Sequence, residues 1–208
     1  YHGWKYNEEG QCVHIPSNTE GQSISKKAKV RSYPTQEAYG FIWVFVGDLP
    51  EEERPPIPEL PEYGQPGWRT FTFDWLLKGH YTRVAEKAID VSHLPFLHSA
   101  TYGEEQNPVF KLEEFEEGEW GGHGKYHHST MVPGILRLRW PKPLDSVTTF
   151  TYHLPNITST RADLVYGTVL LFMSHVPVSA TETKIMYLCM RNFYTWPIFD
   201  GFVKKGSM

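Results

Sequence analysis

The residues best suited to chemistry lie in one short stretch, Glu86-Lys-Ala-Ile-Asp90-Val-Ser-His93-Leu-Pro-Phe-Leu-His98. On a helix turning 100° per residue, Asp90 falls about 40° and His93 about −20° from Glu86, so the three share one face. His98 falls about 140° from His93 on an unbroken helix, the wrong side for sharing an ion. Pro95 removes a backbone donor and disfavours helical geometry at Leu94, so a break is expected there. A second turn can then bring His98 round to meet His93. Two neutral imidazoles with one carboxylate form a facial triad that holds Fe(II) and leaves coordination positions open. Asp90, three residues before His93, sits where a carboxylate takes the proton on the imidazole's other nitrogen. Spacing alone also admits two core or capping histidines around a kinked helix, because D-x2-H-x4-H is short and degenerate.

The elements that must position these residues follow from patterning. A helix is predicted over 79–92, with Val84, Ala88 and Val91 at the +4 and +7 spacing of one apolar face. Trp68–Leu77 reads as strand-like or mixed. Strands are predicted at Val109–Phe115, Gly124–Met131, Ile135–Trp140, Ser146–Leu154, Leu164–Val176 and Lys184–Tyr194, with turn residues in most gaps. An antiparallel sheet with one central helix, an α+β domain, is the economical architecture. Before it lies a small β module over 1–50, with a strand in the apolar run 39–48. Five prolines and Glu51-Glu52-Glu53 make residues 51–67 a solvated linker, so the predicted domains are 1–50 and 68–208.

Composition excludes several classes. Twenty Lys and Arg against 24 Asp and Glu give a net charge of −4, which argues against a nucleic-acid binder. Apolar runs such as Phe41–Val46 are far shorter than the roughly 20 residues that span a bilayer. Two cysteines, Cys12 and Cys189, and no signal segment point to a reducing, cytoplasmic setting. Among the other histidines, His123 and His127 share one side of a strand and His128 the other, as structural or pocket-lining groups. His80 and His175 read as core histidines, with a cavity-lining role second. Glu113–Glu117 reads as a solvated edge.

A second motif opens the chain. Tyr1-His2-Gly3-Trp4-Lys5-Tyr6 resembles the second half of a Rieske iron–sulfur motif, Cys-x2-His-Gly-Trp, with the Cys expected just before Tyr1. Together with the strand ending Phe41-Ile42-Trp43-Val44-Phe45, the proline linker and Glu86-x3-Asp90-x2-His93-x4-His98, it resembles the α (oxygenase) subunit of the Rieske non-haem iron oxygenases. The likeness is greatest to the pheophorbide a oxygenase-like and vanillate demethylase-like group, which Arg191-Asn192-Phe193 also fits.

The resemblance implies a fold and a set of roles. The fold would be the C-terminal half of an all-β Rieske domain followed by a helix-grip catalytic domain, an antiparallel sheet around a long helix. His2 would be a histidine ligand of a 2Fe–2S Rieske cluster, and His93 and His98 would ligate a mononuclear Fe(II). Asp90 would hydrogen-bond His93 and bridge towards the cluster histidine of a neighbouring subunit in a homotrimer. The activity would be hydroxylation or oxidative demethylation of a small aromatic or apolar molecule, using O2 and electrons from a ferredoxin or an NAD(P)H-dependent reductase.

The chain departs from the pattern at several points. The Cys-x-His pair that precedes His2 in the family is missing, and Cys12-Val13-His14 follows His2 instead, so Cys12 reads as an ordinary strand residue. Lys87 stands where relatives carry Asn. The third iron ligand is expected beyond Met208, with Asp200, the only acidic residue after Arg191, as the secondary candidate. The expectation is therefore a truncated piece, inactive alone. The alternative reading is a non-catalytic helix-grip module binding an apolar ligand.

Overall fold

The structure is a computed structural model of the chain, and it describes residues 2–98, 107–130, 132 and 137–206. It divides into two compact units, Tyr1–Pro56 and Ile57–Met208.

The first unit holds two hairpins. Strands β1 (Lys5–Tyr6) and β2 (Cys12–His14) pair antiparallel. Their turn is closed by the Asn7 side chain, whose Oδ1 accepts the Gln11 N–H at 2.8 Å. Gly10 takes φ +76° there, and a Cβ would meet the Val30 carbonyl oxygen at 2.1 Å, so only glycine fits. Strands β3 (Thr35–Ala38) and β4 (Phe41–Val44) flank Tyr39-Gly40, with φ of 59° and 77°, the left-handed pair that a two-residue hairpin needs. The apolar run at 39–48 suggested a buried strand, yet Ile42 and Val44 are exposed. A strand in a two-stranded sheet has one covered face, and here that face carries Phe41 and Trp43.

The second unit is a seven-stranded sheet in which every neighbour is antiparallel. Its strands are β5 (Arg69–Lys78), β6 (Lys111–Gly118), β7 (Gly121–Thr130), β8 (Leu144–His153), β9 (Ile157–Leu164), β10 (Gly167–Ser179) and β11 (Glu182–Arg191). The order is β5-β11-β10-β9-β8-β7-β6, a meander with β5 added beside its last strand. Period-two alternation builds the core on one face: Val169, Leu171 and Met173 from β10, Ile185, Tyr187 and Cys189 from β11, and Ala162 from β9. Helix α1 (Tyr81–Ile89) packs Val84 and Ala88 against this cluster. Its junction with β5 is pinned to the β10–β11 turn, where the Gly79 N–H donates to the Thr181 carbonyl at 2.7 Å and the Thr183 hydroxyl to the Gly79 carbonyl at 2.8 Å. Helix α3 (Asp200–Gly206) adds Val203 to the same core.

The differences from the sequence-based elements have local causes. The segment predicted as one strand over 164–176 is preceded by a separate strand, β9, whose Ser- and Thr-rich sequence hides its alternation. Residues 137–140, predicted as strand, contain a short helical turn instead. Residues 135 and 136, with the Met131 end of the neighbouring predicted strand, lie outside the described residues. Residues 57–67 belong to the second unit, where Pro58 and Leu60 are buried and Glu62 pairs with Arg161. No helix among the described residues is long and apolar enough to cross a membrane.

Candidate active site

Helix α1 ends at Ile89, before the carboxylate it was expected to carry. The Asp90 backbone leaves helical geometry with φ −73° and ψ 116°, although its N–H still donates to the Glu86 and Lys87 carbonyls. The cause is local: the Asp90 Oδ1 accepts the Ser92 N–H at 2.8 Å, an Asx turn that competes with another helical turn. The break thus comes at Asp90, not Leu94. Pro95 instead sits in the first turn of a second short helix, α2 (Leu94–Leu97), where a missing N–H is tolerated. The shared helical face of Glu86, Asp90 and His93 is not formed, and Glu86 pairs with Arg83 at 2.6 Å on the surface.

The turn nonetheless brings the two histidines together. The His93 and His98 rings have centroids 5.4 Å apart at an interplanar angle of 68°. Asp90 Oδ2 lies 3.8 Å from His93 Nδ1, a buried nitrogen with no hydrogen-bond partner. Burial pushes the His93 imidazole below the usual histidine range and Lys87 adds to this, while Asp90 works against it. His98 is also lowered, first by burial, then by His93 and Lys87. Both rings are therefore neutral donors near pH 7, the state a metal requires.

Both line a cavity of about 150 Å³ between α1 and the sheet. The helix side supplies Val84, Lys87, Ala88 and Leu94. The sheet supplies Trp75, Leu77, Thr148, Phe150, Thr160, Leu171, Met173, Ile185 and Tyr187. The wall is mostly aliphatic and aromatic, with three hydroxyl-bearing residues (Thr148, Thr160 and Tyr187) and one ammonium. No carboxylate is among these lining residues.

The other candidates lie elsewhere. His2 is exposed in the first unit, with φ 55° followed by Gly3 at φ 70°. Asp200 does not line the cavity. Its carboxylate accepts from Arg69 Nη2 and Arg191 Nη2, both at 2.7 Å. Burial alone would raise its pKa, but the two guanidinium groups outweigh that and hold it low. The third-ligand expectation for Asp200 is corrected accordingly: it starts α3 and locks the helix to β5 and β11. His80 bonds Thr82 on the surface, and His175 is fully buried against Thr158 at 2.8 Å. His127 and His123 face outward beside Glu113 and Glu114, and His128 faces inward. Glu114 and Glu116 on edge strand β6 and His123 on neighbouring β7 bring donor atoms within 4.8 Å of one another, and none of the three lines the cavity. Reasoning from sequence missed the inward hydroxyls of Thr148 and Thr160, because threonine is an ordinary strand residue.

Residues 77–205, more than half of the chain, match the model for the vanillate O-demethylase oxygenase C-terminal domain. The chain belongs to that family. Among curated proteins, it is similar to the 4beta-methylsterol monooxygenase of Methylococcus capsulatus, 34% identical over 101 residues, covering 47% of this chain and 27% of that protein. It is also similar to the chloroplastic protein TIC 55 of Pisum sativum, 29% identical over 146 residues, covering 68% of this chain and 26% of that protein. The 3-chlorobenzoate-3,4-dioxygenase oxygenase subunit of Comamonas testosteroni is 35% identical over 101 residues, covering 47% of this chain and 22% of that protein. The matched stretch spans about a quarter of each of these relatives. The solved structure of NdmA from Pseudomonas putida CBB5 with caffeine has the same fold, with a TM-score of 0.81 at 21% identity over 100% of this chain and 59% of that one. Membership in the vanillate O-demethylase oxygenase family places the chain with Rieske oxygenase α subunits, and nothing in these likenesses supports a non-catalytic ligand carrier.

Proposed function

We propose that this chain is the iron-bearing part of a Rieske-type oxygenase component that hydroxylates or oxidatively demethylates a small apolar or aromatic molecule. The observation that carries the reading is the His93–His98 pair, two neutral imidazoles 5.4 Å apart at the wall of an apolar cavity. The donor set fits a mononuclear Fe(II): His93 has a buried Nδ1 turned towards Asp90, which leaves Nε2 as its ligating nitrogen. His93 and His98 would hold the ion, and the third ligand of a facial triad comes from outside the cavity-lining residues. When bound, the iron supplies O2 activation with electrons delivered from a Rieske cluster.

The chain's own residues do the rest. Asp90 is fixed by the Ser92 N–H, and its other carboxylate oxygen stands 3.8 Å from His93 Nδ1 as a nearby negative charge that favours the protonated ring. Leu94, Phe150, Leu171 and Met173 exclude water from the space beside the histidines and bind the apolar body of a substrate. In the first unit, His2 and Gly3 occupy consecutive left-handed positions, a turn suited to a ligand of a 2Fe–2S cluster. On this reading residues 1–50 are part of a Rieske domain, 51–67 a connection and 68–208 a helix-grip catalytic domain. Exposed Asp90 would face the cluster histidine of a neighbouring copy in a homotrimer, with a ferredoxin or NAD(P)H-dependent reductase as electron donor. Two buried, unpaired cysteines support a reducing, cytoplasmic setting.

The test is metal analysis of the whole gene product. His93→Ala and His98→Ala should each lose the mononuclear iron and turnover while keeping the cluster's visible spectrum. Normal mononuclear iron occupancy in both variants would sink the proposal.

A further inference from the structure

One cation stands in the wall of an otherwise uncharged cavity. Lys87, in the last turn of α1, lines it together with the two imidazoles, the three hydroxyl-bearing residues and apolar side chains. Helical geometry explains how the lysine reaches this place. Measured from Val84, which packs on the core, Ala88 lies about 40° round the helix and Lys87 about 60° the other way. The lysine stem therefore runs beside the apolar stripe and carries its charge to the border of that stripe. Glu86 lies about 160° from Val84, on the opposite side, and pairs there with Arg83 at 2.6 Å. The Asp90 carboxylate accepts the Ser92 N–H at 2.8 Å. Among the described residues no carboxylate pairs with Lys87. After burial, the Lys87 charge is among the causes that hold both His93 and His98 low, so its field reaches the space beside the two rings.

The consequence lies in what a ligand does to that ammonium. Lys87 is exposed, so water solvates its head, and a ligand entering the cavity displaces part of that water. A neutral ligand then sets the cation against apolar surface with nothing to replace its lost solvation. An anion replaces it with a charge-assisted hydrogen bond. We propose that Lys87 is a specificity-determining residue that selects anionic ligands for this cavity, aromatic carboxylates of single-ring size. The size follows from the volume of about 150 Å³, which a benzene ring fills. Phe150, Leu171 and Met173 receive the ring. A cationic ligand meets like charge, and none of the lining residues is a carboxylate that could receive it. This deepens the oxygenase reading by naming the charge and size of its substrate, and rests on it only in taking the cavity as the binding site.

Three probes of nearly one shape test this on the whole gene product: benzoate, neutral benzamide and cationic benzamidinium. Calorimetric titration should place benzoate about tenfold above benzamide, with benzamidinium weakest. Lys87→Met keeps the stem without the charge and should bring benzoate and benzamide to one affinity. Lys87→Arg should keep the preference, and Lys87→Glu should invert it in favour of benzamidinium. A benzoate affinity no greater than that of benzamide in the unaltered protein, or a ratio unmoved by Lys87→Met, overturns the assignment. The titrations are run with the mononuclear iron in place and again after its removal by a chelator. The preference should persist in both; one that needs the iron assigns the anion to the metal and overturns the role of Lys87. The iron-free titration does not depend on His93 and His98 holding a metal, so failure of their test and failure of this one are read separately.

Discussion

Asp90 Oδ2 lies 3.8 Å from His93 Nδ1, while the other oxygen of the same carboxylate accepts the Ser92 N–H at 2.8 Å. One side chain thereby ends helix α1 and aims at the imidazole that the end of the helix releases. A carboxylate behind a ligating histidine fixes its orientation and raises its basicity. Asp90→Asn keeps the Asx turn through its amide oxygen but loses the charge. We expect iron content to stay within about twofold and turnover to fall about 10- to 100-fold. Single-turnover rates measured beside iron content check this, and unchanged rates would remove the role.

The Arg69–Asp200–Arg191 cluster should be a stability determinant rather than a catalytic one. Arg191 is fully buried, so Asp200→Ala leaves a buried guanidinium without its carboxylate. The expected loss is about 3 kcal/mol, read by denaturant unfolding. Iron content of the folded fraction should not change.

Asp200 also predicts a direction with acid. Its pKa in the folded state lies below its unfolded value of about 3.9. Its contribution is therefore complete above about pH 4 and is lost as pH falls through the folded pKa. Asp200→Asn should flatten the stability profile in that lowest range and leave its slope above pH 5 intact.

His175 acts at a different pH. Full burial pushes its pKa down to about 4, so it is neutral in the fold and takes up a proton on unfolding below about 6.5. Stability should decline from about pH 6.5 towards pH 4, by up to about 3 kcal/mol from this group. His175→Gln removes that slope. A profile with the same slope in the variant would show that the decline comes from elsewhere.

Gly167 offers a backbone test. It takes φ +143°, and a Cβ there would meet Asn192 Oδ1 at 2.5 Å, the atom that accepts the Thr168 N–H. Gly167→Ala should cost about 2 kcal/mol, checked by thermal unfolding.

How much of this was legible in residues alone depends on range. Turn chemistry, the apolar stripe of Val84 and Ala88 and most strands of the sheet are local patterns, and the order of motifs from His2 to His98 identified the family before any coordinates. The Asx turn at Asp90 was in principle equally local, yet it was read as helix because helical spacing fits Glu86, Asp90 and His93 as well. Strand β9 was hidden because its inward residues include threonines, whose burial is set by strands it meets only after folding. Asp200 stood as a secondary candidate for the third iron ligand because its partner Arg69, 131 positions away in sequence, comes within 2.7 Å of it only in the fold. The sequence alone determined which residue types stand near one another along the chain: two imidazoles, a proline and a carboxylate within one short stretch. Only the tertiary structure decided which of them share a cavity. That outcome depends on strand register and burial, which no single segment encodes.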